Sequence, residues 1–354
     1  MSATIVGWGM AVPEQIWTNT HLESMVDTTD AWIVSRTGIR QRRIADDGDT
    51  TFSLGLDAAT RALEQAGLTA ADVDMVIVAT LTPETPMPAT ANLIQDAIGA
   101  RSAGAFDLNA ACAGFTYGLE IGRALIDAGS AQTVLVIGSE TMSRVVDWTD
   151  RSTCVLFGDG AGAVVMQASA AGGIRGNSLG SDGSGAPLLH IPAGGSKLPA
   201  SIETVRDRLH LLSMNGRAVY KFAVKATVRA AAVAMARAGW QPSDLDLFIP
   251  HQANLRIIDA VANELRLPEE RVIVNADFYG NTSSASIPIA LCEAIAQGRV
   301  NQGDRLVLVG FGAGLSWAAV AVEWTAPVTP SDGRASGMSA TVPQKSASAA
   351  RRLP

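Results

Sequence analysis

The chain has 354 residues, enough for two domains or for one large domain built of two halves, and only 5% of them are aromatic against 47% hydrophobic overall. A formal net charge of −7 argues against general binding to nucleic acid or to an anionic membrane, so any anionic partner must be met by a local basic cluster. Three widely spaced cysteines, Cys112, Cys154 and Cys292, fit neither a disulfide framework nor a metal site.

Residues 3–12 read as a buried strand ending at Pro13. An amphipathic helix follows Asn19, a second starts at Thr28-Thr29-Asp30, and a basic cluster of Arg36, Arg40, Arg42 and Arg43 comes next. That cluster is either a solvated face or an anion site, and Trp32 four residues before Arg36 sets an aromatic plate and a guanidinium on one helical face. Residues 51–66 predict a helix capped by Gly67, and 74–80 predict a strand covered on both faces. A Pro-rich loop at 83–88, a helix at 89–98 and a short strand at 105–108 lead to Cys112. A long helix pattern then runs from Gly114 to about Ala128, and strands are predicted at 133–138 and 163–167. Glycine and serine between Gly172 and Lys197 predict long loops and a boundary, dividing the chain into 1–172, 173–325 and a tail, 326–354, whose Ala/Ser/Pro composition reads as disordered. The second part predicts helices at 216–238, 254–265 and 285–296 and strands at 245–249, 272–275, 305–309 and 316–323. The first ten residues lack a signal-peptide pattern and no apolar run reaches 18 residues, which predicts a cytoplasmic protein without a membrane span.

An internal repeat decides the architecture. Residues 67–77 match 239–249, Val134–Gly138 matches Leu306–Gly310, and Asn109-Ala-Ala-Cys112 matches Asn281-Thr-Ser-Ser284, all at an offset of 172. Two duplicated βαβ-type halves imply a layered α/β fold with related sites where the halves meet. Cys112 lies at the start of a helix, where free N–H groups and the macrodipole favour negative charge, so its thiol is expected to ionise more readily than a free one. The same offset carries His251, in Pro250-His-Gln-Ala-Asn254, and Asn281, in Gly280-Asn-Thr-Ser-Ser284, to the face of Cys112. Thiolate, imidazole and carboxamide suit acyl transfer to sulfur followed by chemistry at an enolate. A protease-like set, with the imidazole paired to the thiol, is the competing arrangement. The small apolar residues around Cys112 suit an acyl chain better than a peptide.

Ala110–Phe115, Phe157–Gly162, Pro250–Arg256, Gly280–Ser286 and Gly310–Gly314 together resemble the β-ketoacyl-acyl carrier protein synthase III family over about residues 3–325. The resemblance implies a thiolase-like duplicated five-layer αβαβα fold, a homodimer, and decarboxylative condensation of a primer acyl-CoA with malonyl-acyl carrier protein to start fatty acid synthesis, with no cofactor. It implies Cys112 as the acylated nucleophile, His251 and Asn281 as the pair promoting decarboxylation, and an oxyanion hole from the Cys112 N–H and one N–H of Gly312–Gly314. Thr28, Trp32, Arg36, Arg151 and Asn254 would hold CoA, with Trp32 and Arg151 as plates for the adenine. Gln252, Ala253, Asn254, Leu255, Arg256 and Lys221 would meet the carrier protein. Leu81, Met87, Met142, Phe157, Leu189 and Phe311 would line the primer pocket. Leu81 and Met87 stand where acetyl-preferring relatives usually have threonine and phenylalanine, which implies a primer longer or more branched than acetyl. A thiolase would need a second catalytic cysteine near the C-terminus, and Gly310–Gly314 has none. The alternatives are a priming ketosynthase or acyltransferase of polyketide or other secondary metabolism and, from a different class, a non-catalytic partner subunit, which would be free to lose its cysteine.

Overall fold

The computed structural model describes residues 2–327. The strands of its two large sheets are β1 Ser2–Ala11, β2 Met75–Ala79, β3 Gly104–Leu108, β4 Thr133–Thr141 and β5 Asp159–Ser169 in one, and β6 Gly173–Ser181, β7 Leu247–Pro250, β8 Arg305–Gly312 and β9 Ser316–Glu323 in the other. The first sheet runs β1-β5-β4-β2-β3 and the second β6-β9-β8-β7. The order is the same in both, with β2–β4 and β7–β8 parallel and the pairs on the β1 and β6 side antiparallel. The expected strand at 272–275 is reduced to a single bridge between Phe248 and Val272.

The main helices are α1 Asp30–Thr37, α2 Thr51–Ala66, α3 Thr90–Ile98, α4 Gly114–Asp127, α5 Gly216–Ala238, α6 Leu255–Glu264 and α7 Ser286–Ala296. Local sequence explains the ends of α2: Thr50 and Ser53 form a reciprocal capping box and Gly67 takes the left-handed conformation (φ 66°) that glycine adopts without strain. In α7 nearly every residue is buried, an all-round apolar pattern that marks a helix enclosed on all sides. It lies with α4 between the two sheets, where Phe115, Leu119, Ile287 and Leu291 share one core with strands of both halves. Residues of α2 and α3 cover the outer face of the first sheet, and α5 and α6 the outer face of the second. The result is the five-layer αβαβα arrangement expected.

Strand β6 corrects the reading of 172–197 as loops. Its glycines are there for close packing: a Cβ at Gly176 would stand 2.2 Å from the Ala234 carbonyl oxygen in α5, and one at Gly180 would stand 2.4 Å from Trp317. No helix among the described residues is long and apolar enough to cross a membrane. The reading of the tail as disordered falls, from residue 328 on, outside the described residues.

Candidate active site

A cavity of about 970 Å³ reaches from the surface to Cys112, and His251 and Asn281 line it as well. Each comes from a turn where a sheet hands over to a helix: Cys112 just before α4, His251 just after β7, Asn281 just before α7. Glycines in β8 make the closeness possible, since a Cβ on Gly312 would sit 2.7 Å from the Cys112 backbone nitrogen.

Cys112 is 6% exposed. Burial pushes its thiol up to about 12; a hydrogen bond from Ser283 opposes this and the charge of Glu140 adds to it. The expected acidification is therefore corrected. A helix N-terminus contributes at most about 2 kcal/mol, about 1.5 pH units, and removal from water outweighs it here. The sulfur is held as a thiol.

His251 is buried, and burial lowers its imidazole to about 3, so the ring is neutral at working pH. Its Nδ1 lies 2.6 Å from the Ser286 hydroxyl, which already accepts from the Gln252 N–H at 3.3 Å. The Ser286 hydroxyl donates in no other contact among the described residues, so its proton is assigned to Nδ1 and the ring proton to Nε2. Phe311 packs edge-on at 5.2 Å and fixes the ring plane. Asn281 is pinned through its backbone to Leu156 and Gly158, and its Oδ1 accepts from the Ser283 N–H at 2.8 Å. With Oδ1 engaged, the Nδ2 amino group is the part of the side chain left for a ligand.

Towards the surface the cavity wall carries Trp32 and four cations, Arg36, Arg217, Lys221 and Arg256. The Arg151 guanidinium lies over the Trp32 ring, 5.2 Å from its centroid, and donates to the Asp27 carbonyl at 2.7 Å. Of the basic cluster only Arg36 lines the cavity. Arg42 is wholly buried, its guanidinium spent on Trp17, Asn19 and Val155, and burial lowers it to about 10.

Two models of 3-oxoacyl-[acyl-carrier-protein] synthase III match the chain, one at residues 106–183 and one for the C-terminal part at 235–324. The β-ketoacyl-[acyl-carrier-protein] synthase III of Symbiobacterium thermophilum is 53% identical over 321 residues, 90% of this chain and 97% of that protein. The chain belongs to the β-ketoacyl-[acyl carrier protein] synthase III family. Among solved structures the synthase III of Thermus thermophilus superposes with a TM-score of 0.85 at 47% identity, covering 91% of this chain and 99% of that one. A priming β-ketosynthase of a polyketide pathway reaches the same TM-score at 40% identity, covering 92% and 97%.

Seen as a synthase III site, the cavity gathers most of the residues expected from sequence and leaves out some. Leu81, Met142, Phe157, Leu189 and Phe311 line it, as do Ala253 and Asn254. Met87 does not: it is 86% exposed and walls no part of its own chain's cavity. Gln252 is corrected as a carrier-protein contact, because it is buried and its amide serves the backbones of Pro250, Ile273, Asn275 and Ala276. Leu255 is likewise turned inward, under Gly38. Thr28 stands off the lining, its buried Oγ1 without a partner among the described residues. Arg217 and Tyr220 were not anticipated. The signal for Arg217 was available, since it precedes Lys221 by four residues on one face of α5.

Proposed function

We infer that the protein, a β-ketoacyl-acyl carrier protein synthase III, transfers a primer acyl group from CoA to Cys112 and condenses it with malonyl-acyl carrier protein. The observation that carries the assignment of roles is the convergence of Cys112, His251 and Asn281, from both halves of the fold, on one cavity.

In the first half-reaction the Cys112 sulfur attacks the primer thioester and the CoA sulfur leaves. One thiol and one thioester are exchanged for another pair, so the Cys112 proton ends on CoA and the step needs no net acid or base. The high proton affinity of the buried thiol then costs less than it would in an enzyme that keeps a standing thiolate. In the second half-reaction malonyl-acyl carrier protein loses CO₂ and negative charge grows on its thioester oxygen. His251 Nε2–H and Asn281 Nδ2–H are donors for that oxygen, and a neutral imidazole serves because it donates without having to be charged. The enolate carbon attacks the acyl-Cys112 carbonyl, and the Cys112 N–H with an N–H of the 312–314 turn receives the tetrahedral oxyanion. Collapse expels the Cys112 sulfur, which takes up one proton from solvent to return to the thiol, and gives a 3-oxoacyl-acyl carrier protein.

Trp32, Arg36, Arg151 and Asn254 form the CoA end of this reading, with Arg217, Lys221 and Arg256 available to phosphates and to the carrier protein. An adenine between Trp32 and Arg151 requires two contacts of about 3.5 Å each, more than the 5.2 Å between them. Arg151 must therefore swing from its Asp27 anchor when CoA binds. Trp32→Ala is expected to raise the KM for acyl-CoA by about 5- to 150-fold, the equivalent of roughly 1–3 kcal/mol of stacking, with little change in the KM for malonyl-carrier protein. Equal effects on both, measured by steady-state kinetics, would indicate a general defect instead.

The assembly belongs to the same proposal. A homodimer would cover the open edge of the first sheet at β3 and give the exposed Met87 a partner surface. Three free, buried cysteines suit a reducing cytoplasm. The test of the function is direct: purified protein, malonyl-acyl carrier protein and a panel of acetyl-, butyryl-, isobutyryl- and octanoyl-CoA, with products read by mass spectrometry. Formation of a 3-oxoacyl-carrier protein is expected, and its absence with every primer would remove the assignment.

A further inference from the structure

The turn that carries Cys112 has a copy in the turn that carries Asn281, and the copying extends to atomic detail. The Ala111 N–H donates to Asn109 Oδ1 at 3.3 Å, and at the 172-residue offset the Ser283 N–H donates to Asn281 Oδ1 at 2.8 Å. Ala111 (φ 47°) and Ser283 (φ 50°) are both left-handed, a conformation that a residue with a Cβ holds only when its surroundings impose it. The strands beneath match too: a Cβ on Gly310 would stand 3.0 Å from the Cys112 carbonyl oxygen, and one on Gly138 would stand 2.4 Å from that of Ser284.

Two residues further on the likeness ends. In β8 Gly312 leaves the space beside Cys112 open; at the matching position of β4 stands Glu140, wholly buried, in the duplicate of that space. Its Oε1 accepts from the Ser283 hydroxyl at 2.9 Å and lies 2.9 Å from the Ser284 hydroxyl, whose one proton is shared with the Ala79 carbonyl at 2.7 Å. Its Oε2 accepts from Thr82 Oγ1 at 2.6 Å, the Leu81 N–H at 3.1 Å, and the Thr82 N–H and Thr80 Oγ1 at 3.2 Å. One carboxyl thus joins the start of the Leu81 loop in the first half to the Asn281 turn in the second. Burial raises its pKa and these donors oppose the rise.

We propose that Glu140 is a positioning residue for Asn281: filling the duplicate of the substrate space, it clamps the Ser283–Ser284 turn and thereby fixes the carboxamide used in decarboxylation. The chain of contacts is short. Asn281 Oδ1 is held by the Ser283 N–H, and the Ser283 hydroxyl is held by Glu140. Cys112 is placed by its own turn and by Gly312, but its thiol also meets the Ser283 hydroxyl and the charge of Glu140. Glu140 therefore places the carboxamide of the second half-reaction, and touches the first only through the proton affinity of the thiol. This rests on the decarboxylating role given to Asn281 above.

Glu140→Gln is the discriminating variant. The Leu81 and Thr82 N–H groups cannot reverse, so the amide oxygen must stay at the Oε2 side and the NH₂ must face the serines. Ser284 tolerates that, because its hydroxyl can accept while donating to the Ala79 carbonyl at 2.7 Å. Ser283 loses its acceptor. The experiment compares wild type, Glu140→Gln, Ser283→Ala and Asn281→Ala as full-length proteins. It follows acylation of Cys112 by intact mass, CO₂ release from malonyl-carrier protein, and Tm. Glu140→Gln and Ser283→Ala are both expected to release CO₂ about 10- to 100-fold more slowly, the range for a misplaced catalytic group. Glu140→Gln, which removes a charge that disfavours the Cys112 thiolate, is expected to acylate within about threefold of wild type or faster. Ser283→Ala, which also removes a hydrogen bond to Cys112, is expected to lose less in acylation than in CO₂ release. A parallel fall in both half-reactions, or CO₂ release kept within about threefold in folded protein, would overturn the proposal. Should Glu140→Gln not fold, Ser283→Ala decides by the ratio of the two rates: a fall in CO₂ release about tenfold or more beyond the fall in acylation supports the proposal, and an equal fall in both overturns it. If Asn281→Ala keeps CO₂ release, the role of Asn281 itself fails; if it loses CO₂ release and Glu140→Gln does not, the Glu140 proposal alone fails.

Discussion

Incubated with a primer acyl-CoA and no malonyl substrate, the protein is expected to gain the mass of one acyl group, and Cys112→Ala is expected to gain none. Ionisation does not single out this cysteine: burial pushes Cys112 and Cys292 up to about 12 and Cys154 to about 11. Position does. Cys112 lines the cavity at a glycine-walled turn, while Cys154 is packed behind the cavity wall, in the cluster of Met142, Val155 and Phe157, and Cys292 lies in the enclosed helix α7. Condensation in Cys112→Ala should fall by several orders of magnitude, on the order of 10⁶ where a nucleophile works as one of a unit. Intact mass and peptide mapping check this, and an adduct on Cys154 or Cys292 would remove the assignment of the nucleophile.

His251→Ala and Asn281→Ala are each expected to keep self-acylation and to lose about 10²–10³ in the rate of malonyl decarboxylation, the cost of removing one donor from a developing oxyanion. Separate assays of the acyl adduct and of CO₂ release distinguish the steps. Should both variants abolish acylation and spare decarboxylation, the imidazole would be a general base for the thiol. The pH profile gives a second check. Because the His251 imidazole is lowered to about 3, CO₂ release should show no imidazole titration between pH 5 and 8. The sign for stability follows: the uncharged ring favours the fold fully above its unfolded pKa of about 6.5, and that contribution is lost as pH falls from there towards 3.

Much of this was legible in the chain, and the exceptions share a cause. Helices 51–66 and 216–238 were read with their bounds because Thr50, Asn215, Gly67 and Gly239 act locally as caps. Strand 173–181 was not, because its glycines answer to α5 and Trp317, neighbours distant in sequence. The repeat placed Cys112, His251 and Asn281 together. The state of the thiol was misread from the helix end alone, since desolvation depends on how the two sheets and β8 close over it. Arg42 was read within a cluster that is either a solvated face or an anion site, and it is neither but an internal tie, a distinction set by what folds around it.

The cavity also dictates an order of events. The primer thioester and the malonyl thioester must both reach Cys112, and the Trp32 and Arg36 wall is continuous with the Lys221 and Arg256 wall around one approach to the sulfur. CoA must therefore depart before the carrier protein's arm can enter, so turnover alternates between a free and an acylated form of the enzyme. Initial velocities plotted reciprocally against one substrate at several levels of the other should give parallel lines, the mark of a ping-pong sequence. Free CoA, returning by the same route, should compete with malonyl-carrier protein for the acylated form.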